Sequence, residues 1–222
     1  MNKAEDSKDM KTEEKEINKK PDDTGNVNVE GHIRIFDPET GEEFVNKRNA
    51  IHFENMSEAL AMSLANNSHG FIHELALGNG GTSVDPTGVI TYKPANNSGT
   101  NSSLYNQTYY KVVDTLSALN NDANRNKITT THVEGTVYTD IVVSCLLDYG
   151  EPSDQSAFDN TNNFDGTYVF DELGLKSWVG TVNTGKLLTH VVFHPVQKSL
   201  NRLIEIEYTV RIQTLTNLSS VN

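Results

Sequence analysis

The sequence predicts an all-β protein: an antiparallel sandwich or jelly-roll-like domain with one short helix and a disordered amino-terminal arm. Three observations lead to this class. Apolar and polar residues alternate in several segments, most regularly over residues 204–212. Only residues near 55–64 carry a helical pattern. Helical crossovers, which parallel strands need, are missing between the candidate strands.

Composition excludes several classes of protein. The 222 residues carry 30 acidic and 18 basic side chains, a net charge of −12, which argues against direct sequence-specific binding of nucleic acid. A run of about 18 apolar residues, as a membrane-spanning helix requires, is missing, and no secretory signal is expected. The single cysteine, Cys145, excludes an internal disulfide framework and a multi-cysteine zinc site.

The chain is predicted to divide into an arm, residues 1–27, and one β-rich domain, residues 28–222. The arm mixes six lysines with eight acidic residues and holds only scattered apolar residues, too few for a core. We therefore expect it to be solvated and disordered.

Alternation and turn residues predict the principal strands. Residues 33–50 are typical of a hairpin, with turn chemistry between Asp37 and Gly41. Residues 133–147 are predicted to form the longest strand, with Val133, Val137 and Cys145 on one apolar face. The last strand, 204–212, has the cleanest alternation.

One helix is predicted after the hairpin. Asn55 is the expected N-cap, with Glu58 as its capping-box partner. Met56, Leu60 and Leu64 are expected on its buried face. A helix of about ten residues needs packing against a sheet.

The glycine cluster GNGGT, residues 78–82, is interpreted as a tight loop between strands. A phosphate-binding loop would continue with lysine and a helix, neither of which follows here. We expect Gly78, Gly80, Gly81 and Gly174 to be turn positions that need a positive φ.

Other candidates for chemistry are weak. His69 with His73, and His190 with His194, have a spacing of four, but in extended chain this spacing covers about 13 Å, too far for one metal ion. Cys145 is expected to be an inert buried thiol. The sequence therefore assigns no catalytic, cofactor-binding or metal-binding residue and no cofactor.

One oxygen-rich loop leaves a question open. It runs from Asp159 to Asp165 and offers side-chain oxygens of the kind calcium prefers, but its spacing differs from that of an EF-hand. Stabilisation of the loop by its own Asn and Asp side chains is the simpler interpretation, and calcium binding stays open.

Four segments taken in order resemble small virion proteins of tailed bacteriophages. They are NAI at 49–51 before the helix, IHELALGNGGT at 72–82, FDELGL at 170–175, and the closing strand 204–212. The resemblance covers about residues 31–214. Proteins of this kind occur at the neck or collar, at tail ends and as fibre adaptors.

The resemblance implies a non-enzymatic structural component of the virion, in the neck or collar or in the tail, assembled in the host cytoplasm. It implies an all-β protomer that forms a ring-like homo-oligomer and contacts other virion proteins. We expect the contacts in the loops 94–103 and 117–127 and in the arm. The arm would order on a neighbouring subunit.

A carbohydrate-binding jelly roll, of the adhesin or fibre-tip type, is the alternative. Sugar sites stack aromatic rings on the sugar, and the candidates here are Trp178 and the tyrosines Tyr105, Tyr109 and Tyr110. Packing within a strand is the simpler interpretation of these tyrosines. An enzyme is not expected.

Overall fold

The computed structural model describes residues 25–99, 102–157 and 167–216. Its elements are, in chain order, β1 (Gly25–Phe36), β2 (Glu43–Arg48), β3 (Ala50–Ile51), α1 (Phe53–Leu64), β4 (Ile72–Gly78), β5 (Thr82–Val84), β6 (Ile90–Tyr92), β7 (Gln107–Val112), β8 (Lys127–His132), β9 (Tyr138–Leu147), β10 (Thr167–Ser177), β11 (Thr189–Ser199) and β12 (Ile204–Thr216). The predicted all-β class is confirmed.

Two five-stranded sheets form a sandwich-like body. Sheet 1 has the order β2-β1-β12-β9-β8, and sheet 2 has the order β3-β11-β10-β4-β7. Neighbouring strands in both sheets are antiparallel, and β5 and β6 form a separate hairpin.

The inner faces of the two sheets share one apolar core. Alternation in β12 buries Ile206 and Tyr208 against sheet 2, as the sequence predicts. Sheet 2 contributes Leu75, Phe170 and Phe193, and the rings of Phe170 and Phe193 meet edge to face with centroids 5.8 Å apart.

The predicted boundary of the arm is three residues too late. Gly25 pairs with Thr216 and Val27 pairs with Thr214, so residues 25–27 belong to β1. The strand extends this far because β12 continues beyond the segment 204–212 and offers a partner for each residue. Residues 1–24, which make up the rest of the predicted arm, lie outside the described residues.

The predicted hairpin is confirmed, whereas the predicted long strand is partly wrong. β1 and β2 pair across the turn, where Asp37 O accepts from Gly41 N at 2.8 Å. Val133 and Val137, however, lie in the turn between β8 and β9 and are more than half exposed. The turn includes Gly135 at φ +85°, so the strand is broken there.

The helix forms where predicted, but its cap differs and its predicted buried face is confirmed only in part. His52 is the N-cap, and its Nδ1 accepts from Asn55 N at 3.3 Å. Asn55 lies inside the helix, where its side chain donates to Leu187 O at 2.8 Å. Met56 is buried and Leu60 packs against the core, as predicted, whereas Leu64 is 89% exposed.

Candidate functional site

Two consecutive carboxylates of β10 hold the glycine cluster. Asp171 accepts hydrogen bonds from Gly81 N and Thr82 N, both at 2.9 Å, and from the Thr82 hydroxyl. Glu172 accepts from Gly80 N at 3.1 Å. Consecutive strand residues ordinarily point to opposite faces, but the pairing of β10 with β11 shifts register between Phe170 and Glu172. Both carboxylates therefore reach the same loop.

Glu172 also fixes the segment before β7. Its Oε2 accepts from Tyr105 N at 2.9 Å, and its Oε1 accepts from Asn106 N at 2.8 Å. Together with Gly80 N, these bonds give this fully buried carboxylate three backbone donors from two loops. Charge-assisted bonds of this kind are the stronger ones.

His190 of β11 completes this buried group. Its Nε2 lies 3.0 Å from Glu172 Oε2, and its Nδ1 accepts from Asn96 N at 2.8 Å. Burial acts to raise the pKa of Glu172, but the bonds from His190, Asn106 and Tyr105 outweigh it and hold that pKa below its usual value. We call Asp171, Glu172 and His190 the loop anchor.

The predicted reason for the glycines is wrong. None of the four glycines, Gly78, Gly80, Gly81 and Gly174, has a positive φ. Their constraint is close approach: a Cβ on Gly78 would lie 2.3 Å from Asn106 O, and one on Gly174 would lie 2.2 Å from Thr189 O. These glycines let loops and strands pack directly on the sheet.

A second buried group surrounds His73 on β4. A register shift at this point brings His73 and Glu74 together, with Nδ1 3.3 Å from Oε1. His73 Nε2 lies 3.2 Å from Ser117 Oγ, and its ring centroid lies 4.2 Å from that of Trp178.

The order of serine, histidine and carboxylate in this group is the one found in serine hydrolases. Here Ser117 and Glu74 also bind backbone amides of neighbouring loops. Ser117 Oγ accepts from Leu119 N at 3.2 Å, and Glu74 Oε1 accepts from Asn183 N at 2.7 Å. His73 is 2% exposed, so substrate could not reach its ring without movement of Trp178 or the turn. The group serves to hold two loops on sheet 2.

A third buried charge holds the loop after β9. Lys198 is fully buried, and its Nζ donates to the carbonyl oxygens of Asp148, Glu151 and Ser199 at 2.8–3.0 Å. Burial lowers the pKa of Lys198 to about 8. Lys111 Nζ contacts the side chain of the same Glu151 at 2.6 Å.

The remaining predicted candidates are separate from one another. His194 contacts Tyr92 at the surface, at 3.2 Å, and His69 contacts Asn67 and Ser68. Within residues 25–99, 102–157 and 167–216, no group of three or more His, Cys, Asp or Glu is placed to hold a metal. The oxygen-rich loop from Asp159 to Asp165 lies outside the described residues.

Cys145 and the tyrosine cluster are packed. Cys145 is fully buried on β9, as predicted, and burial raises the pKa of its thiol to about 12. Tyr109 is buried and meets Tyr168 edge to face. Tyr105 carries Lys93 Nζ over its ring at 4.5 Å and donates its hydroxyl proton to Pro94 O. Tyr110 is partly buried against a small apolar cluster and Tyr105 is 38% exposed, so the three tyrosines do not form one exposed platform.

An apolar groove opens between α1 and the inner face of sheet 1. Its volume is about 620 Å³, and its walls include Leu60, Phe71, Ile128, Ile141 and Ile212. Leu116 stands at the groove and is 94% exposed. No local sequence pattern predicts this groove, because its residues come from α1, four strands and three loops.

Comparison with known proteins identified no relative. No family model, curated protein or solved structure matches the chain. Among the described residues, no helix has the length and apolar character needed to cross a membrane.

Proposed function

We propose that the protein is a non-enzymatic structural component of a tailed-bacteriophage particle. It acts in the neck or collar, or in the tail, through contacts with its own copies and with neighbouring virion proteins. The order of the four sequence segments described above motivates this proposal. Nothing in it requires a cofactor.

The observation that most supports the proposal is that the buried charged side chains bind the backbone of loops. Most hydrogen bonds of Asp171, Glu172 and Lys198 are made with backbone groups of loops and strand ends. An acid or base catalyst needs a group that can reach a substrate. Charges that fix loops on a rigid sheet instead suit a protein whose loops form contacts.

Assembly is the property to test first. Size-exclusion chromatography with light scattering measures the mass of the purified full chain, and electron microscopy shows whether the particles are rings. A multimer of defined symmetry is the expected result. A monomer at all concentrations that turns over a substrate would contradict the proposal.

Glycan binding tests the alternative function, that of a carbohydrate-binding module. A glycan array probed with the full chain should give no signal above background. Strong binding by a monomeric protein would replace the structural role with that of a carbohydrate-binding module.

A further inference from the structure

We infer that the apolar groove is the docking site for a second copy of this chain, with Leu116 of each copy inserted into the groove of the other. This interface would be one of the self-contacts of the proposed function, and the inference rests on that function because it requires self-association. We call the groove and Leu116 the docking face.

The groove is unusually free of charge for this protein. Of the sixteen residues that line it, Asp114 alone is charged. The whole chain carries a net charge of −12, so two copies repel each other when acidic surfaces meet. Contact through the docking face brings few charges together, which suits a second copy of this acidic chain, and a strongly charged partner finds little there to pair with.

Leu116 is held in place although its side chain contacts little of its own protein. Its backbone N donates to Asp114 Oδ1 at 3.0 Å, and Ser117 N donates to Asp114 O at 3.2 Å. Directly before Leu116, Thr115 Oγ1 accepts from Ile128 N at 2.9 Å. A rigid turn that presents an exposed leucine loses little entropy when that leucine is buried by a partner.

Leu116 and the groove lie side by side on one molecule, which favours a symmetric contact. A twofold axis near Leu116 places each leucine over the other groove, so one patch serves both copies. Phe71, 37% exposed, also lines the groove and adds to the apolar surface that such a contact covers. The result is a closed pair of chains.

A charge in the groove is the test with the best control. Thr130 lines the groove and is exposed, so Thr130→Glu adds a carboxylate there without disturbing the core. Thr129 is the neighbouring exposed residue of β8, and alternation places it on the opposite face, so Thr129→Glu makes the same change in charge away from the groove. Leu116→Ser removes the apolar side chain that enters the groove. Leu200→Ser, at an exposed leucine in the turn after β11, is its control.

Analytical ultracentrifugation over a concentration series measures the effect. Thr130→Glu and Leu116→Ser should raise the dissociation constant of the pair by about tenfold or more, whereas Thr129→Glu and Leu200→Ser leave it within about twofold. Circular dichroism checks that all four variants are folded.

Cysteine cross-linking identifies the partners directly. Leu116→Cys protein is mixed with isotopically labelled Thr130→Cys protein and oxidised; Cys145 is fully buried and does not compete. We expect the mixed covalent pair to form, and to be much reduced when Thr129→Cys replaces Thr130→Cys.

Three outcomes would overturn the inference. A multimeric wild type whose mass is unchanged in Thr130→Glu and Leu116→Ser leaves the proposed function standing but removes this interface. Cross-links from residues 1–24 into the groove assign it to the amino-terminal segment. A monomer that carries an apolar small molecule in native mass spectrometry, lost in Thr130→Glu, makes the groove a ligand site.

Discussion

His190 Nε2 lies 3.0 Å from Glu172 Oε2, and neither side chain is exposed. The pair lies on the face of sheet 2 that the loops cover rather than in an open cleft, because Glu172 also accepts three backbone hydrogen bonds from those loops. Its first consequence is for stability.

Removing the charge of Glu172 should destabilise the protein. Glu172→Gln replaces one acceptor oxygen with an amide NH₂ that faces backbone donors or His190, and leaving buried donors without an acceptor costs about 1–3 kcal/mol, or more where the acceptor was charged. Urea denaturation should show this loss in the free energy of unfolding. Hydrogen exchange should quicken at the amides of Gly80, Tyr105 and Asn106.

Glu134→Gln is the control, because Glu134 is exposed in the turn between β8 and β9 and loses the same charge. It should change the free energy of unfolding by less than about 0.5 kcal/mol. Equal stabilities for the two variants would mean that Glu172 does not anchor the loops.

Gly174 should not tolerate even a methyl group. In Gly174→Ala the new Cβ would lie 2.2 Å from Thr189 O and 2.6 Å from Leu187 Cδ1, and a backbone carbonyl of the paired strand cannot move aside cheaply. We expect a loss of about 1–3 kcal/mol or more in the free energy of unfolding. Gly25→Ala, where a Cβ meets nothing within 4 Å, should be close to neutral in the same thermal and urea measurements.

Lys198 should make stability rise with pH. Its pKa is about 8 in the folded protein against 10.5 for an ordinary lysine, so between these values the unfolded chain binds a proton that the folded protein has released. The neutral amine of Lys198 makes its full contribution to the free energy of unfolding above pH 10.5. That contribution is lost as the pH falls through 8 and the amine of the folded protein takes up its proton. Its slope is at most about 1.4 kcal/mol per pH unit, the limit for one group.

The measurement compares wild type with Lys198→Met from below pH 8 to pH 10.5. The free energy of wild type relative to the variant should rise across this range, and taking the difference cancels other groups such as Cys145. Lys127→Met changes an exposed lysine of β8, and its curve of unfolding free energy against pH should be parallel to that of wild type. A Lys198→Met curve that is also parallel to wild type would show that this amine keeps an ordinary pKa.

Cys145 should be unreactive in the native protein. Its thiol is fully buried, and burial raises its pKa to about 12, so little thiolate forms and none is accessible. A colourimetric thiol reagent should label one cysteine in urea and none under native conditions. Thr129→Cys should react promptly when native; comparable labelling of native wild type would contradict the burial of Cys145.

The sequence was most informative where one face of an element is buried. The alternation of residues 204–212 predicted β12, and the turn from Asp37 to Gly41 predicted the β1–β2 hairpin. β8 escaped prediction because its threonines give no apolar alternation. The predicted cap of α1 was wrong because the Asn55 side chain donates to Leu187 O, which is 132 residues away along the chain.

The loop anchor has a signal in the sequence. Asp171 and Glu172 stand inside the apolar segment FDELGL, and charged residues buried in a strand need partners. The sequence could have predicted that these two carboxylates bind something. That the partners are amides of residues 80–82 and 105–106 depends on register shifts and loop paths that no local pattern encodes.

The loop anchor contacts main-chain groups almost exclusively. Glu172 and Asp171 accept from the amides of Gly80, Gly81, Tyr105 and Asn106, and His190 accepts from that of Asn96. Outward side chains on these segments can therefore be exchanged while the path of the backbone is kept. Such a body could display foreign peptide sequences on a fixed frame, because the segments that carry them are held by their main chain.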